Sequence, residues 1–403
     1  MKELPGKKVL IIVENLPLPF DRRVWMESNT LTKEGYQVAI ICPKGKSYEK
    51  SYEYINDIHI YRHSLPPEHS SAAGYIREYL AALFHEFRLA LKIKRKHGFD
   101  VIQLCNPPDI LFLVTLWFKF FNRTKVIFDH HDLNPELFES KFNKRGFFYH
   151  ALKIAEKLTF KTADLVISTN ESYKLIAIER GKKKPEDVHV VRSGPDLSKF
   201  QPVPTNESYK NSRKYLIGYL GVMGEFDGVD HLVKAAKYIV YNLNRKDVQF
   251  CLIGSGPCWD DLKNLTIEYD LEDYVDFTGR VSDEELIARL SSCDVCVNPD
   301  PMNPLNDKST MNKILEYMAL EKPIVQYDLL EGRRSALEAS WYADPNNIED
   351  FAKKIVELCD SDDEVRKQMG KFGRDRMINE LEWKYQSAKL LKAYNQVLGN
   401  ESD

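Results

Sequence analysis

The sequence lacks a long uninterrupted apolar segment. Its most apolar run, ILFLVTLWFKFF at residues 110–121, is interrupted by Lys119 and is too short to span a bilayer as a helix. The start of the chain, MKELPGKKVLIIVEN, runs into a short strand-like stretch and shows no signal-peptide pattern. These features predict a cytoplasmic protein, for which peripheral attachment to the inner face of the plasma membrane stays open.

The cysteines show no disulfide framework. There are seven of them, an odd number, which suits a reducing compartment. Cys293 and Cys296 form a CxxC pair, but no second pair accompanies it, and CDVCV is typical of the start of a buried strand. We therefore expect neither a metal site nor a redox site at these cysteines.

Neither sign of charge predominates overall, because the net charge is −3, but the two signs are unevenly distributed. Residues 1–200 contain 32 Lys and Arg against 24 Asp and Glu, whereas the remainder contains 25 against 36. A basic first half indicates an anionic partner, such as a membrane surface or a phosphorylated acceptor. Lysines scattered over solvated helices would give the same imbalance.

The 403 residues exceed one typical domain, and 43% hydrophobic with 29% charged residues is the composition of a globular protein. Short, nearly all-apolar runs alternate with helical patterns, as in a doubly wound parallel sheet. The pattern stops at the polar, proline-containing segment 197–214 and then starts again. We predict two α/β domains, with a ligand site in the cleft between them. The predicted strands span residues 8–15, 37–43, 100–105, 125–132 and 164–170, then 215–221, 248–256, 275–281, 294–300 and 323–328.

A glycine loop in the second half is a candidate for phosphate binding. The stretch GYLGVMGEFDGVDHLVKAA predicts a strand, a loop that contains Gly221 and Gly224, and a helix. Glycines let the backbone approach a phosphate, and the helix N-terminus favours an anion. Any tight strand-to-helix turn also favours glycine, so the motif is weak alone.

The segment NPLNDKSTMNKILEYMALEKPIV predicts a helix over residues 311–320, with Ser309 or Thr310 as its N-cap. Lys313 then lies near the first turn, where a lysine opposes the helix dipole, so a bound anion is the favoured explanation. Glu316 lies one turn further on the same face and could accept hydrogen bonds from a sugar or ribose diol. A simple ion pair between the two side chains is the alternative.

Two polar clusters follow strands of the first half. FDHHDLNPELF ends a strand with two histidines and two aspartates, but consecutive residues alternate in direction and cannot all reach one metal ion. We predict that one histidine forms hydrogen bonds or handles a proton, with a structural strand-end pair as the alternative. In PLPFDRRVW, Arg22 and Arg23 suit phosphate or an acidic sugar, or simply face solvent.

Taken together, the stretches LPFDRRVW, FDHHDLNPELF, GYLGVMGEFDGVDHLVKAA, FTGRVSDEELIARLSSCDVCVNPD and STMNKILEYMALEKPIVQYD resemble those of a GT-B glycosyltransferase of family 4. The resemblance extends over nearly the whole chain in the expected order. It implies two Rossmann-like domains that face each other across a cleft: an acceptor-binding domain at residues 1–200 and a nucleotide-sugar-binding domain at 213–382. The last helix, residues 383–398, is expected to cross back to the first domain.

The resemblance also assigns roles to single residues. It implies that Glu316 holds the donor ribose, that Lys313 contacts the diphosphate, that Arg280 and Val281 line the nucleobase pocket, and that His131 lies near the reacting sugar. With Gly221, Gly224, Ser309 and Thr310, these form the expected donor site, and His131 and Lys313 are the expected catalytic residues. The chain departs from the family pattern in four places, with Lys308 for a sugar-binding glutamate, Val222 and Asp227 for basic residues, and Glu321 for a commoner glycine.

The expected reaction is the transfer of a sugar, with retention of configuration, from a nucleotide diphosphate donor, most simply a UDP-sugar. Neither a metal nor another cofactor is expected, and no nucleic acid partner. The leading acceptor is a lipid-linked saccharide of cell-surface polysaccharide assembly, because residues 74–98 have the pattern of an interfacial helix, although a helix packed on the sheet would look similar. A nucleotide-sugar epimerase on the same fold and a non-catalytic sugar-nucleotide-binding protein are the alternatives.

Overall fold

A computed structural model of the chain describes residues 7–64, 72–142 and 144–399. It divides the chain into two compact units: the first contains the residues up to Arg192 and the C-terminal segment from Gln386, and the second runs from Ser193 to Tyr385. Each unit has its own parallel sheet, so the predicted α/β fold is confirmed. Within the described ranges, no helix is long and apolar enough to cross a membrane.

The first unit is an eight-stranded sheet with helices on both faces. Its strands are Lys8–Val13 (β1), Gln37–Pro43 (β2), Tyr52–Ile55 (β3), Ile58–His63 (β4), Val101–Cys105 (β5), Lys125–His130 (β6), Leu165–Ser168 (β7) and Val188–Val190 (β8). Its helices are Arg22–Lys33 (α1), Ala72–Lys96 (α2), Phe112–Asn122 (α3), Asn134–Phe142 (α4), Phe147–Thr162 (α5) and Glu171–Glu179 (α6), joined by the last helix of the chain, Trp383–Leu398 (α14). The strand order is β3-β4-β2-β1-β5-β6-β7-β8, and only β3, at the edge, is antiparallel.

The second unit is a six-stranded sheet that is parallel throughout. Its strands are Tyr215–Leu220 (β9), Val248–Ile253 (β10), Val275–Gly279 (β11), Val295–Asn298 (β12), Ile324–Tyr327 (β13) and Ser340–Ala343 (β14). Its helices are Val229–Lys237 (α7), Trp259–Glu268 (α8), Asp283–Ser292 (α9), Asn312–Ala319 (α10), Leu330–Ala336 (α11), Ile348–Asp360 (α12) and Asp363–Arg376 (α13). The order β11-β10-β9-β12-β13-β14 is that of the dinucleotide-binding fold, with its switch point between β9 and β12.

The ten predicted strands all form, and the structure adds β3, β4, β8 and β14. All four lie at or next to the outer edges of the sheets, and β3 exposes alternate residues while β8 has only three residues. Short or half-exposed strands carry too few consecutive apolar residues to stand out in a sequence.

The predicted domain boundary at residue 200 lies inside the second unit. Leu197 and Phe200 are buried in the core of that unit, and Arg374 Nη1 donates a hydrogen bond of 2.9 Å to the Phe200 carbonyl. The polar composition of 197–214 therefore reflects the exposed residues 201–208 and does not mark a linker between the units.

The last helix packs in the first unit, as the family resemblance implies. Tyr394 of α14 is fully buried, meets Tyr36 edge to face at 5.7 Å and donates a hydrogen bond to Gln103 of β5. Further along the helix, Gln396 lies 2.7 Å from His189 Nε2 at β8. The C-terminal segment thus contributes side chains to the face of the first sheet that also carries Gln103.

Gly228, which precedes α7, is expected to be indispensable for the second unit. Its φ is +61°, and an added Cβ would lie 2.1 Å from the Pro299 carbonyl oxygen. Gly279 is a matched control, because its φ is +70° but its Cβ would meet nothing closer than 3.8 Å. We expect Gly279→Ala to lower the free energy of unfolding by about 1–2 kcal/mol, the cost of the left-handed backbone, and Gly228→Ala to lower it several-fold more.

The measurement is urea unfolding followed by tryptophan fluorescence. Equal losses for the two variants would mean that the turn after β12 shifts to make room for the methyl group.

Candidate functional site

The switch point of the second sheet brings two predicted motifs together. The glycine loop begins at Gly221, directly after β9, and Asp300 follows β12, so both lie at the carboxyl edge where ligands bind in open α/β sheets. Helix α10 is fixed at this point by Tyr317, whose hydroxyl accepts from the Leu220 amide at 2.8 Å and donates to the Val297 carbonyl at 3.2 Å.

Lys313 of α10 points into this switch point and is buried. Its Nζ lies 2.9 Å from Asp300 Oδ1, 4.0 Å from Asp227 Oδ1 and 4.9 Å from the centre of the Tyr219 ring. Burial would lower the pKa of Lys313, but the carboxylates of Asp300 and Asp227 raise it above its usual range, so the ammonium stays charged. A permanent positive charge therefore lies at the carboxyl edge of the sheet.

The glycine loop is in direct contact with this lysine. A Cβ added to Gly221 would lie 2.6 Å from the Tyr219 hydroxyl and 3.3 Å from Lys313 Cε, so glycine is required for the close approach. The Gly224 amide donates to Asp227 Oδ2 at 3.0 Å. Below, the Lys313 site denotes Tyr219, Gly221, Asp227, Asp300 and Lys313.

The start of α10 differs from the prediction. The helix begins at Asn312, and its N-cap is Met311, which makes no side-chain cap hydrogen bond, so Ser309 and Thr310 are not N-caps. The Ser309 hydroxyl instead donates to the Leu305 carbonyl at 2.9 Å, closing the short 3₁₀ turn before the helix. The polar residues that favour an N-cap position lie in or next to this turn and not at the start of the helix. The helix therefore starts at Asn312, one residue later than predicted.

The anion that offsets Lys313 in the structure is a carboxylate of its own chain. The sequence left a bound anion or a pair with Glu316 as explanations, and the structure provides Asp300, thirteen positions earlier. Glu316 lies half-buried one turn along α10. After the edge strand β11, Arg280 is exposed, whereas Val281 packs on the core of the unit.

The first unit has a second charged cluster, centred on Asp129 of β6. Arg23 of α1 donates to both of its carboxylate oxygens, at 2.7 and 3.3 Å, and also pairs with Glu27 at 3.1 Å. Gln103 of β5 donates to Glu27 at 2.7 Å and to Asp129 at 3.1 Å. Below, the Asp129 cluster denotes these four residues with His131, whose Nε2 lies 2.6 Å from Asp129 Oδ2.

Asp129 controls the charge of His131. Burial would lower the pKa of His131, but the charge and the hydrogen bond of Asp129 raise it above its usual value. The raised pKa favours the protonated imidazole, whose Nε2–H donates to the carboxylate, and Arg23 Nε lies 3.0 Å from the same nitrogen. Asn106, after β5, fixes the turn by accepting from the His131 amide at 2.7 Å and the Asp132 amide at 3.2 Å.

The neighbouring histidine has the opposite environment. His130 is fully buried on the other face of β6, where it packs against Phe128, Phe160 and Tyr173. Burial, reinforced by the charge of Arg180, lowers the pKa of His130 to about 3. His130 is thus a neutral core residue, while His131, with 13% of its side chain exposed, reaches the surface.

The two arginines of α1 also lie in different environments. Arg22 is exposed, whereas Arg23 is buried, with its guanidinium directed at Asp129, Glu27 and the Val191 carbonyl. Arg23 therefore neither faces solvent nor offers its guanidinium to an external phosphate in this arrangement. Its guanidinium holds the Asp129 carboxylate, which raises the pKa of His131.

The ligand atoms of Cys105, Asp129 and His131 lie within 4.8 Å of one another, a spacing that suits a metal ion. Burial raises the pKa of the Cys105 thiol well above its usual range, and Arg23 already occupies the carboxylate. A guanidinium beside the same oxygens disfavours a divalent cation. The donor set therefore suits a hydrogen-bonded cluster better than a metal site.

Several members of the two sites were missed by the sequence interpretation. Gln103 was detectable as a polar residue inside the otherwise apolar strand DVIQLC, and Asp300 as the acidic residue that closes DVCVNPD. Asn106 and Tyr317 carried no such signal, because their roles depend on which backbone groups the fold brings within 3.2 Å.

Two family models match the chain. The description "Glycosyltransferase Family 4" matches residues 21–199, and "Glycosyl transferases group 1" matches residues 214–361. The chain is 24% identical to an uncharacterized glycosyltransferase of Haemophilus influenzae, over 89% of this chain and 92% of that protein. It is 27% identical to the MMP α-(1→4)-mannosyltransferase of Mycolicibacterium hassiacum, over 53% and 49%.

Solved structures share the fold. A sucrose-phosphate synthase from Thermosynechococcus elongatus superposes with a TM-score of 0.81 at 18% identity, covering 98% of this chain and 99% of that one. Anabaena HepE in complex with UDP and glucose gives a TM-score of 0.73 at 14% identity, covering 97% and 100%. The chain is therefore a group 1 glycosyltransferase of the GT-B fold.

Proposed function

We propose that this glycosyltransferase uses a UDP-sugar, with the diphosphate at the Lys313 site and the ribose on Glu316. The observation that carries the proposal is the contact between the glycine loop and a buried, charged lysine at the switch point of the second sheet. The UDP complexes of HepE, which has the same fold, support the choice of nucleotide. In this proposal Arg280 and Val281, which follow β11, would line the nucleobase side of the donor site, and the loop and turn residues Gly224, Ser309 and Thr310 would line its phosphate side.

The two carboxylates at Lys313 have different parts in this proposal. Asp300 is 2.9 Å away and 1% exposed, whereas Asp227 is 4.0 Å away and 30% exposed. A diphosphate that approaches Lys313 would therefore replace Asp227, the more distant and more solvated carboxylate, while Asp300 keeps the lysine in place. Lys313 would then stabilise the charge that builds on the leaving diphosphate, a role proposed without a metal or another cofactor.

In the single-step mechanism proposed, retention means that the acceptor attacks from the face that the diphosphate leaves. The bond from the sugar C1 to the phosphate oxygen breaks, the acceptor oxygen forms the new bond to C1, and the acceptor proton passes to the departing diphosphate. His131 would act as a cationic hydrogen-bond donor to the reacting sugar. With Asp129 holding its Nε2 proton, it is better suited to donate than to act as a base.

The acceptor in this proposal is a saccharide, in particular a lipid-linked saccharide of cell-surface polysaccharide assembly. The excess of basic residues in the first 200 positions supports an anionic acceptor or surface. The enzyme would then work in the cytoplasm at the inner face of the plasma membrane, with no nucleic acid as partner.

The experiment is a transfer assay with labelled UDP-, GDP- and ADP-sugars, with and without lipid-linked and free saccharide acceptors. We expect turnover only with a UDP-sugar and an added acceptor, and a product whose anomeric configuration, read by NMR, is that of the donor. Conversion of the donor to an epimer without acceptor, inverted product, or turnover restricted to another nucleotide would each contradict the proposal.

A comparison of UDP with uridine should distinguish the role of Lys313 from that of Glu316. Lys313→Ala should weaken UDP binding by about 1.5–3 kcal/mol and leave uridine binding nearly unchanged, because only UDP carries the diphosphate. Glu316→Ala should weaken both by a similar amount, because both carry the ribose. Titration calorimetry with the two ligands measures this.

Lys313→Ala leaves Asp300 buried without its partner, which can cost about 3–5 kcal/mol of stability. The double variant Lys313→Met with Asp300→Asn removes both charges and keeps the test valid if the single variant fails to fold. A uridine loss equal to the UDP loss in the double variant would assign Lys313 a structural role only.

His131→Ala should lower turnover by a factor on the order of 10²–10³ with UDP affinity nearly intact. His130→Ala should instead lower the free energy of unfolding by about 2–4 kcal/mol, because it leaves a cavity among three aromatic rings. Steady-state kinetics and urea unfolding of both variants measure this, and exchanged phenotypes would reverse the assignment.

Because His131 is proposed to act as a cation, the activity of the enzyme should depend on pH. If the protonated imidazole is the active form, activity should fall as the pH rises through the raised pKa of His131. Asp129→Asn should move this alkaline limb to lower pH, whereas a merely structural role of Asp129 would lower activity equally at every pH.

A further inference from the structure

Helix α3 is apolar on the face that solvent reaches as well as on the face that packs. Phe112, Val114 and Phe118 are buried in the core of the first unit. The opposite side exposes a second stripe with helical spacing: Leu113 is 48% exposed, Trp117 49%, Phe120 76% and Phe121 69%. A helix that is apolar all round is typical of a protein core or a membrane environment, yet α3 lies at the surface.

Helix α5 carries a similar exposed stripe and lies beside α3. Phe147, Phe148, Ile154 and Leu158 are 80%, 56%, 60% and 41% exposed. The two helices are joined where Lys119 Nζ donates to the Thr162 carbonyl at 2.7 Å, and both pack on the same side of the sheet. The α3–α5 surface denotes these two stripes with the basic residues described next.

The charges around these stripes are of one sign. The acidic side chains of α4 and α5 are engaged within the unit, since Glu136 and Glu156 are buried against Arg180, and Glu139 pairs with Arg145. In the described residues from 112 to 162, every exposed charged side chain is basic. These side chains are Lys141, Lys144, Arg145, Lys157 and Lys161, with Arg123 directly after α3 and Lys125 at the start of β6.

We propose that the α3–α5 surface docks on an anionic lipid bilayer. Exposed aromatic and aliphatic side chains would enter the boundary of the acyl chains, and the surrounding Lys and Arg would meet the headgroups. A protein partner fits less well, because lysine is depleted at protein–protein interfaces while this surface is rich in it. The inference is independent of the donor site, but it deepens the proposed function, because a lipid-linked acceptor would be reached from the bilayer.

The sequence analysis pointed to residues 74–98, most of which form α2, as the membrane-facing helix, whereas the structure points to α3 and α5. Helix α2 exposes Leu80 and Phe84, followed by Arg88 and Lys92, and it packs beside α3. It continues the same apolar and basic pattern at the margin, but the largest exposed rings lie on α3 and α5.

The experiment is flotation of the full-length protein with vesicles of phosphatidylcholine alone or mixed equally with phosphatidylglycerol. Phe120→Ser with Phe147→Ser should weaken binding to the mixed vesicles by at least about tenfold, because each ring buried in the bilayer contributes more than one decade of affinity. Ile267→Ser with Val365→Ser removes two exposed apolar residues from the second unit and should leave binding unchanged.

The charges are tested separately. Lys157→Glu with Lys161→Glu should lower binding to the mixed vesicles by about tenfold or more, and added salt should weaken wild-type binding. Trp117 is a natural reporter: its emission should shift to shorter wavelength on mixed vesicles, and the shift should be absent in Trp117→Phe.

Several outcomes would overturn the proposal. These are wild-type protein that stays unbound, binding that survives the Phe120 and Phe147 changes, and a concentration-dependent dimer, seen by light scattering, that the same changes abolish. The last result would assign the surface to a second copy of the chain. Sugar transfer by the wild-type protein, measured in parallel, separates the two proposals. Wild-type protein that floats with the vesicles but transfers no sugar counts against the proposed function alone, and wild-type protein that transfers sugar but stays unbound counts against the docking surface alone.

Discussion

The ion pair between Lys313 and Asp300 is the interaction on which the second unit's site depends. Both side chains are buried at the carboxyl edge of the sheet, so each makes the charge of the other tolerable. The pair also joins α10 to the strand end after β12, and Tyr317 adds a hydrogen bond to each strand that flanks the switch point. A lysine near a helix N-terminus, unfavourable in isolation, is thereby held in one place.

The first unit also buries a charged group, in this case a carboxylate. Asp129 is a buried carboxylate, and although burial alone would raise its pKa, Arg23 and His131 hold it below its usual range. Because Gln103 donates to Asp129 and accepts from Tyr394, the last helix of the chain reaches the same cluster. The C-terminus therefore contributes to the setting of a histidine more than 250 positions away in the sequence.

The proposed function depends on buried charged groups, whereas the proposed membrane docking depends on exposed apolar side chains. In both sites, burial strengthens electrostatic interactions and leaves one charged group partly accessible, which is what transfer of a charged leaving group requires. At the α3–α5 surface the reverse holds, because large apolar side chains remain in contact with water. Exposed apolar stripes on two adjacent helices are costly to a free protein, and contact with a bilayer would remove that cost.

The sequence by itself determined the α/β architecture and the position of ten strands, nearly all of them inside the sheets, because strands buried on both faces must be apolar along their whole length. It also located the glycine loop and the histidine pair, which stand out at strand ends, and Lys313, which stands out near the start of a helix. Tertiary structure alone decided the partners: Asp300 for Lys313, Arg23 for Asp129, and Met311 in place of Ser309 at the start of α10. It likewise decided that the apolar segment 110–121 faces solvent on one side. Partners and exposure depend on which distant segments the fold brings within a few ångströms, and no local pattern of residues encodes that.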